Sequence, residues 1–356
     1  MKRAGPVRLA LVLAVAGGFR QAPAVTPESP PVAPDEIASV PFSPSRVILD
    51  GSDLYIVSSS RIARLEKRSF VELPGGDLAP GSSVAIRARR IFISRRQASE
   101  VVVLDHEGKL KKRYTTGAPP SAIAVDDLGN AHVFSILTSG ADSKAIVRVF
   151  DSLGGFVRSA GALPQPSEAQ KDMDVVERRA AFSPLLRTSS QGDVWYLSRD
   201  GTLAGRIGAS AATADSLSLS TDPPKPAAAV EKTDEDRKRE ERTRATLLEA
   251  VEKSGANRGM DPPRVVIPRN DPPRFADFAC GPDGCAALSA QALDSSEGDQ
   301  RSVSVLFFDS QKHVEKKSIR LAGPPDTLVG VGVRDRRLVL YALRGKILLE
   351  YALDAP

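Results

Sequence analysis

Two cysteines, three histidines and a scatter of aspartates are the residues of this 356-residue chain whose types and spacing could do chemistry. Cys280 and Cys285 flank Gly281-Pro282-Asp283-Gly284. That is strong turn sequence, so the two thiols can face each other across a hairpin. The pair reads as a disulfide clip around a very short loop, with a pair of free thiols as the alternative. A zinc site would need further Cys or His ligands, and redox chemistry the tighter CxxC spacing. His106 and His313 fall in polar turns and His132 in an apolar segment, so they form no set. The chain has no GxSxG elbow, phosphate-cradling glycine loop, CxxCH haem motif or EF-hand loop. The sequence therefore nominates no catalytic residue and no metal ligand, and it leaves the binding residues unknown.

The elements that would position any site recur along the chain. A short apolar strand, a tight polar turn and a second apolar strand repeat six times. The second strands read Leu54–Val57, Ile91–Ile93, Ala131–Phe134, Val194–Leu197, Ala286–Leu288 and Leu338–Tyr341. Several copies continue into a strand ending in Asp, a turn, and a more polar strand: Glu100–Asp105 then Lys109–Tyr114, and Ala145–Asp151 then Gly155–Arg158. A buried strand paired with a polar edge completes a four-stranded meander. Two of the spacings between copies fit a propeller blade of about 40–50 residues, and the longer ones contain insertions.

The stretch Ile123-Ala124-Val125-Asp126-Asp127, continued by Val147-Arg148-Val149-Phe150-Asp151-Ser152-Leu153-Gly154-Gly155-Phe156, resembles an NHL-type repeat. Over about residues 45–353 the chain is similar to the six-bladed, TolB-like group of bacterial propellers. The resemblance implies an all-β, six-bladed propeller with blades near 45–75, 83–116, 120–161, 184–207, 274–322 and 327–353. It specifies architecture and not activity, since such propellers host lyases, lactonases and plain binding modules. Ring closure would use an N-terminal strand near Val40–Phe42 or Arg46–Leu49. First strands would line the central channel, where Asp126 and Asp277 are the carboxylates in reach of a calcium ion. No cofactor is predicted beyond that allowance for calcium.

Strand direction places the loops between strands two and three, and between blades, on one face. That face receives Leu137–Lys144, residues 162–183, residues 208–273 and Ser289–Arg301, and the opposite face only tight turns. Long loops in compact folds carry function often enough to make this the expected binding face, around blades 3–5. Residues 208–273 form an insertion after blade 4. Within it, Thr233 and Asp236 resemble a capping box, and Glu235–Arg239, Glu240–Arg244 and Glu249–Lys253 have favourable helical spacing, which predicts a helix over about 233–254.

The N-terminus begins with Lys2, Arg3 and Arg8, continues as an apolar run from Leu9 to Gly18, and reaches the small-residue site Ala22-Pro23-Ala24. This is the pattern of a signal peptide over residues 1–24, followed by a linker over 25–44. No cysteine follows the apolar run, so the expected product is extracytoplasmic, periplasmic or secreted, and not a lipoprotein. The formal charge of +5 falls to about +1 without that segment, which argues against nucleic acid as a partner. No later segment is apolar enough to span a membrane. The expected role is a non-catalytic binding or scaffold protein for a protein or small-molecule ligand. The alternatives are a metal-dependent hydrolase or lyase acting in the channel, and an assembly subunit docking through the helix of the insertion.

Overall fold

In a computed structural model the chain is an all-β propeller of six blades. The structure describes residues 31–137, 144–165, 171, 173–207, 214–219, 238, 274–290, 294–295, 301–309, 311, 313–323 and 325–353. The predicted signal segment and the predicted helix over 233–254, apart from residue 238, lie outside them. Strand β1 (Asp35–Ser39) comes first in the chain. Blade 1 is β2 (Arg46–Asp50), β3 (Asp53–Val57), β4 (Ile62–Glu66) and β5 (Ser69–Glu72). Blade 2 is β6 (Ser83–Arg87), β7 (Arg90–Arg95), β8 (Glu100–Asp105) and β9 (Leu110–Thr115). Blade 3 is β10 (Pro120–Val125), β11 (Ala131–Ser135), β12 (Ala145–Phe150) and β13 (Phe156–Ala162). Helix α1 (Val175–Phe182) leads into blade 4, made of β14 (Leu185–Thr188), β15 (Val194–Leu197), β16 (Leu203–Ile207) and β17 (Ala214–Ser218). Blade 5 is β18 (Phe275–Cys280), β19 (Cys285–Ser289), the two-residue β20 (Asp294–Ser295), β21 (Arg301–Phe308) and β22 (Val314–Leu321). Blade 6 is β23 (Thr327–Arg334), β24 (Arg337–Arg344) and β25 (Ile347–Leu353), with β1 as its outer strand.

Side-chain alternation builds the ring. Successive residues of a strand point to opposite faces, and in a propeller both faces of a blade are buried against neighbours. In β7, Ile91 and Ile93 pack toward blade 1 while Phe92 packs toward blade 3. In β3, Leu54 and Ile56 meet blade 6 while Tyr55 and Val57 meet blade 2. Among the described residues the hydrophobic core is divided into six clusters, and each is shared by two adjacent blades. This is why the inner strands read as continuous apolar runs. Strands β2, β6, β10, β14, β18 and β23 are the innermost of their blades and neighbour one another around the channel.

Three features differ from the sequence reading. The closing strand is Asp35–Ser39, inside the expected linker, while Arg46–Leu49 belongs to the innermost strand of blade 1. An outer strand has a solvated edge and needs no apolar run, so Asp35-Glu36-Ile37-Ala38-Ser39 carries little signal. For the same reason β17 falls in the span expected as insertion, pairing Ala214–Ser218 with Leu203–Ile207. Helix α1 occupies part of a segment expected as loop. Its capping box is complete: Asp174 accepts from the Glu177 backbone N–H at 2.8 Å, and the Glu177 carboxylate accepts from the Asp174 N–H at 3.0 Å. From α1, the buried Arg179 donates to the carbonyls of Ser135, Ala145 and Ile146, tying off the ends of β11 and β12.

The N-terminal segment stitches three blades. Val32 exchanges backbone hydrogen bonds with Arg320 and Ala322 at the outer edge of blade 5. Strand β1 pairs antiparallel with β25 of blade 6, and Val40 enters the cluster between blades 6 and 1. A chain beginning at Val40 is expected to lose more than about 5 °C of unfolding midpoint relative to one beginning at Pro31. It should also self-associate through the bared edge of β25. Thermal unfolding and light scattering check this; equal midpoints and equal masses would contradict it.

Candidate functional site

The inner edge of each innermost strand has no neighbouring strand, so its N–H and C=O groups face the channel. Such groups must find partners. Side chains from adjoining blades supply several. Arg46 of β2 donates from Nη1 to the Val84 carbonyl of β6 at 2.7 Å. Thr188 Oγ1 of β14 donates to the Val125 carbonyl of β10 at 2.6 Å and accepts from the Val125 N–H at 3.3 Å. Asp277 of β18 accepts from the Val331 N–H of β23 at 3.2 Å. These contacts join blade 1 to 2, 3 to 4, and 5 to 6.

Charge is concentrated at one level of the channel. Arg187 of β14 reaches the Asp277 carboxylate through Nε at 2.8 Å and through Nη2, and its Nη1 donates to the Leu186 carbonyl at 2.7 Å. Asp277 is only 3% exposed. Room for it exists because residue 330 is glycine: a Cβ there would stand 2.5 Å from Asp277 Oδ2. Arg46 completes the group. Its side chain keeps some exposure to the channel, but Nε is sealed from solvent and has no hydrogen-bond partner. Burial, reinforced by the nearby Arg187 charge and only partly offset by Asp277, lowers the Arg46 pKa to about 9. Among the described residues no carboxylate pairs with Arg46. Two guanidiniums share one carboxylate, which leaves the group at +1.

A cavity of ≈ 580 Å³ occupies the channel. Arg46 and Arg187 line its deep end, and Ile48, Ile86 and Val331, whose side chains are mostly packed between blades, contribute apolar patches to a mixed wall. It opens among the turns joining first and second strands, including Gly51, Ala88, Ser190 and Asp335. The mouth is stitched from blade to blade. Asp50 accepts from the backbone N–H groups of Ala88 at 3.1 Å and Arg89 at 2.7 Å, Arg87 pairs with Asp127 at 2.5 Å, and the Ser190 N–H donates to the Cys280 carbonyl at 3.0 Å. Ala88, Arg89, Asp335 and Arg336 hold left-handed backbone conformations in two-residue turns. Non-glycine residues adopt these at a cost of roughly 1–2 kcal/mol each.

The residues singled out by sequence divide sharply. Cys280 and Cys285 stand opposite each other at the end of the β18–β19 hairpin and are disulfide-bonded, with Cys280 at the cavity mouth. Asp277 is in the channel, committed to Arg187 and Val331. Asp126 is not: it closes its turn, accepting from the N–H groups of Leu128 at 3.0 Å and Asn130 at 2.8 Å, and contacts His132 Nε2 at 3.2 Å. Burial would raise its carboxyl pKa, but these hydrogen bonds, His132 first, hold it below the usual range. Asp126 and Asp277 therefore do not converge, and among the described residues no three His, Cys, Asp or Glu gather as metal ligands do. His313 pairs with Asp309 in an exposed turn. The expected binding face lies largely outside the described residues, whereas the cavity opens at the opposite, short-turn end. Arg46 and Arg187 were not anticipated, although Arg46 opens and Arg187 interrupts an otherwise apolar innermost strand.

No protein-family model matches the chain, and no curated protein matches it. Solved structures do. Virginiamycin B lyase from Staphylococcus aureus is similar with a TM-score of 0.45 and 10% identity, over 90% of this chain and 99% of that one. The β-propeller domain of a Myceliophteria thermophila protein gives a TM-score of 0.47 and 10% identity, over 90% and 100%. A WD40 domain from Neurospora crassa gives 0.43 and 8%, over 91% and 96%. At these identities the likeness concerns the fold alone. Among the described residues no helix is long and apolar enough to cross a membrane.

Arg46 has a folded pKa of about 9, below its unfolded value, so above about pH 9 the unfolded chain holds the proton more tightly and stability rises with pH. Arg46→Met removes the unbalanced charge and keeps most of the packing. It is expected to stabilise the empty protein at pH 7 by about 1–3 kcal/mol. That advantage should shrink as pH climbs above 9. Denaturant unfolding of both proteins from pH 7 to pH 10.5 checks this; a destabilised variant with a pH-independent deficit would contradict it.

Proposed function

We propose that this chain is an exported, non-catalytic binding propeller that takes a small ligand into its central channel through the short-turn mouth. The observation that carries the reading is the ≈ 580 Å³ cavity, with walls of mixed polar and apolar character and two guanidiniums at its deep end. A concave site with a few fixed polar groups is a usual form of a small-molecule site. Binding rather than turnover is supported by how the channel groups are engaged. Asp277 and Thr188 are tied to neighbouring strands, and the rim carboxylates Asp50 and Asp127 are each held by an adjacent blade. None of them is matched with a base or nucleophile as acyl- or glycosyl-transfer chemistry requires.

Two features support a location outside the cytoplasm. The signal-like sequence over residues 1–24 is one, and the Cys280–Cys285 disulfide, a bond suited to an oxidising compartment, is the other. The NHL-like motif of blade 3 supports the grouping with exported TolB-like propellers, and the choice of a channel ligand is independent of that grouping.

The neutral fluorophore 1-aminoanthracene tests the site without involving charge. It is expected to bind saturably with one site per chain. Ser190→Trp, an exposed change at the mouth, should weaken that binding by roughly tenfold or more while moving stability by no more than about 0.5 kcal/mol. Equal binding by both proteins would place the fluorophore elsewhere and overturn the channel reading.

A further inference from the structure

We infer that the channel ligand is a monocarboxylate with an apolar body, its carboxylate held by Arg46. The inference rests on the channel being the binding site and adds the chemistry of what enters it. Three observations lead to it.

The first is the charge count. Arg46, Arg187 and Asp277 share one level of the channel, and their formal charges leave +1. A buried cation without a counter-ion is costly, and a bound anion removes that cost. A monoanion neutralises the group, whereas a phosphate dianion would overshoot and leave −1 against the Asp277 carboxylate.

The second is the supply of donors. Arg187 is largely committed: Nε and Nη2 hold Asp277, and one hydrogen of Nη1 holds the Leu186 carbonyl. Arg46 spends one Nη1 hydrogen on Val84 and its Nε is sealed from solvent, but among the described residues its Nη2 donates to no partner. A planar guanidinium with free N–H groups matches a carboxylate in shape as well as charge.

The third is the wall. Between the guanidiniums and the mouth the cavity wall is mixed, with Ile48, Ile86 and Val331 supplying apolar patches that an apolar body can rest against. The mouth residues Asp50, Arg87, Asp127, Asp335 and Arg336 sum to a formal −1, so the positive charge that could hold an acid lies only at the deep end. Selection for the acid therefore happens at the deep end, at Arg46.

The test compares acids with their uncharged amides. Benzoate, phenylacetate and 3-phenylpropionate, each beside its amide, and phenyl phosphate are titrated by calorimetry into the full-length protein, Arg46→Met and Arg46→Lys. The expected result is that at least one acid binds tenfold or more tighter than its amide, about 1.4 kcal/mol. Phenyl phosphate should bind more weakly than the best acid. Arg46→Met should erase the preference and Arg46→Lys should keep part of it, with unfolding curves showing both variants folded. Amides that bind as well as acids, with binding blocked by Ser190→Trp, would overturn the carboxylate while leaving the channel site standing. An acid preference untouched in Arg46→Met would place the anion elsewhere and overturn the assignment to Arg46. Binding of neither acids nor amides at millimolar concentration would overturn both this inference and the channel reading.

Discussion

Closure of the ring is the constraint on which the rest of this structure depends. Each blade is a thin antiparallel sheet with two apolar faces, and neither face is covered by the blade itself. Ile91 and Phe92 are adjacent in one strand yet belong to cores shared with different neighbours. A blade therefore gains its burial only when blades stand on both sides of it. The chain meets that condition at its N-terminus: residues 32–50 run from the outer edge of blade 5, along the outer edge of blade 6, and into the innermost strand of blade 1. The ion pair between Glu36 and Arg344, at 2.5 Å, lies on this strap. Being exposed, it adds little beside the backbone ladder.

Closing a ring of sheets creates a second problem. Six inner edges are brought around one axis with their backbone groups unpaired, in a space too narrow to be treated as bulk water. Side chains from the innermost strands answer it by reaching across to the next blade, as Arg46, Thr188 and Asp277 do. Arginine serves well because its fork spans the gap, but it brings charge with it. Asp277 balances Arg187. Arg46 remains unbalanced, and the same desolvation that lowers its pKa makes a bound anion favourable there. The candidate site is thus a consequence of how the channel edges are satisfied, with stability in the empty state given up at one residue.

Much of this fold was legible in the sequence because burial on both faces leaves a strong mark. The runs Val101–Leu104 and Leu338–Tyr341 admit few other readings, and tight turns such as Asp127–Asn130 separate them. Outer strands left almost none. Asp35–Ser39 and Ala214–Ser218 are held by backbone pairing against a partner strand, and pairing does not select side chains. The site was legible only in halves. Asp277 stood out as an acid in an apolar strand, and Arg46 and Arg187 could have been recognised by the same test. What sequence could not supply was their meeting: Arg187 and Asp277 are 90 residues apart and touch because blades 4 and 5 are neighbours. The direction of the cavity was also beyond reach, since loop length points to one face and the depth of the side chains inside the channel decides the other.

The most direct measurement is on Arg46 itself. Its side-chain Nε–Hε resonance, assigned by comparison with the spectrum of Arg46→Met, can be followed by NMR during a phenylacetate titration. The account predicts a large, saturating shift of that resonance, with Arg187 moving less and surface arginines such as Arg96 not at all. A resonance that stays fixed while phenylacetate binds would contradict it, because the unbalanced guanidinium would then have no part in holding the ligand.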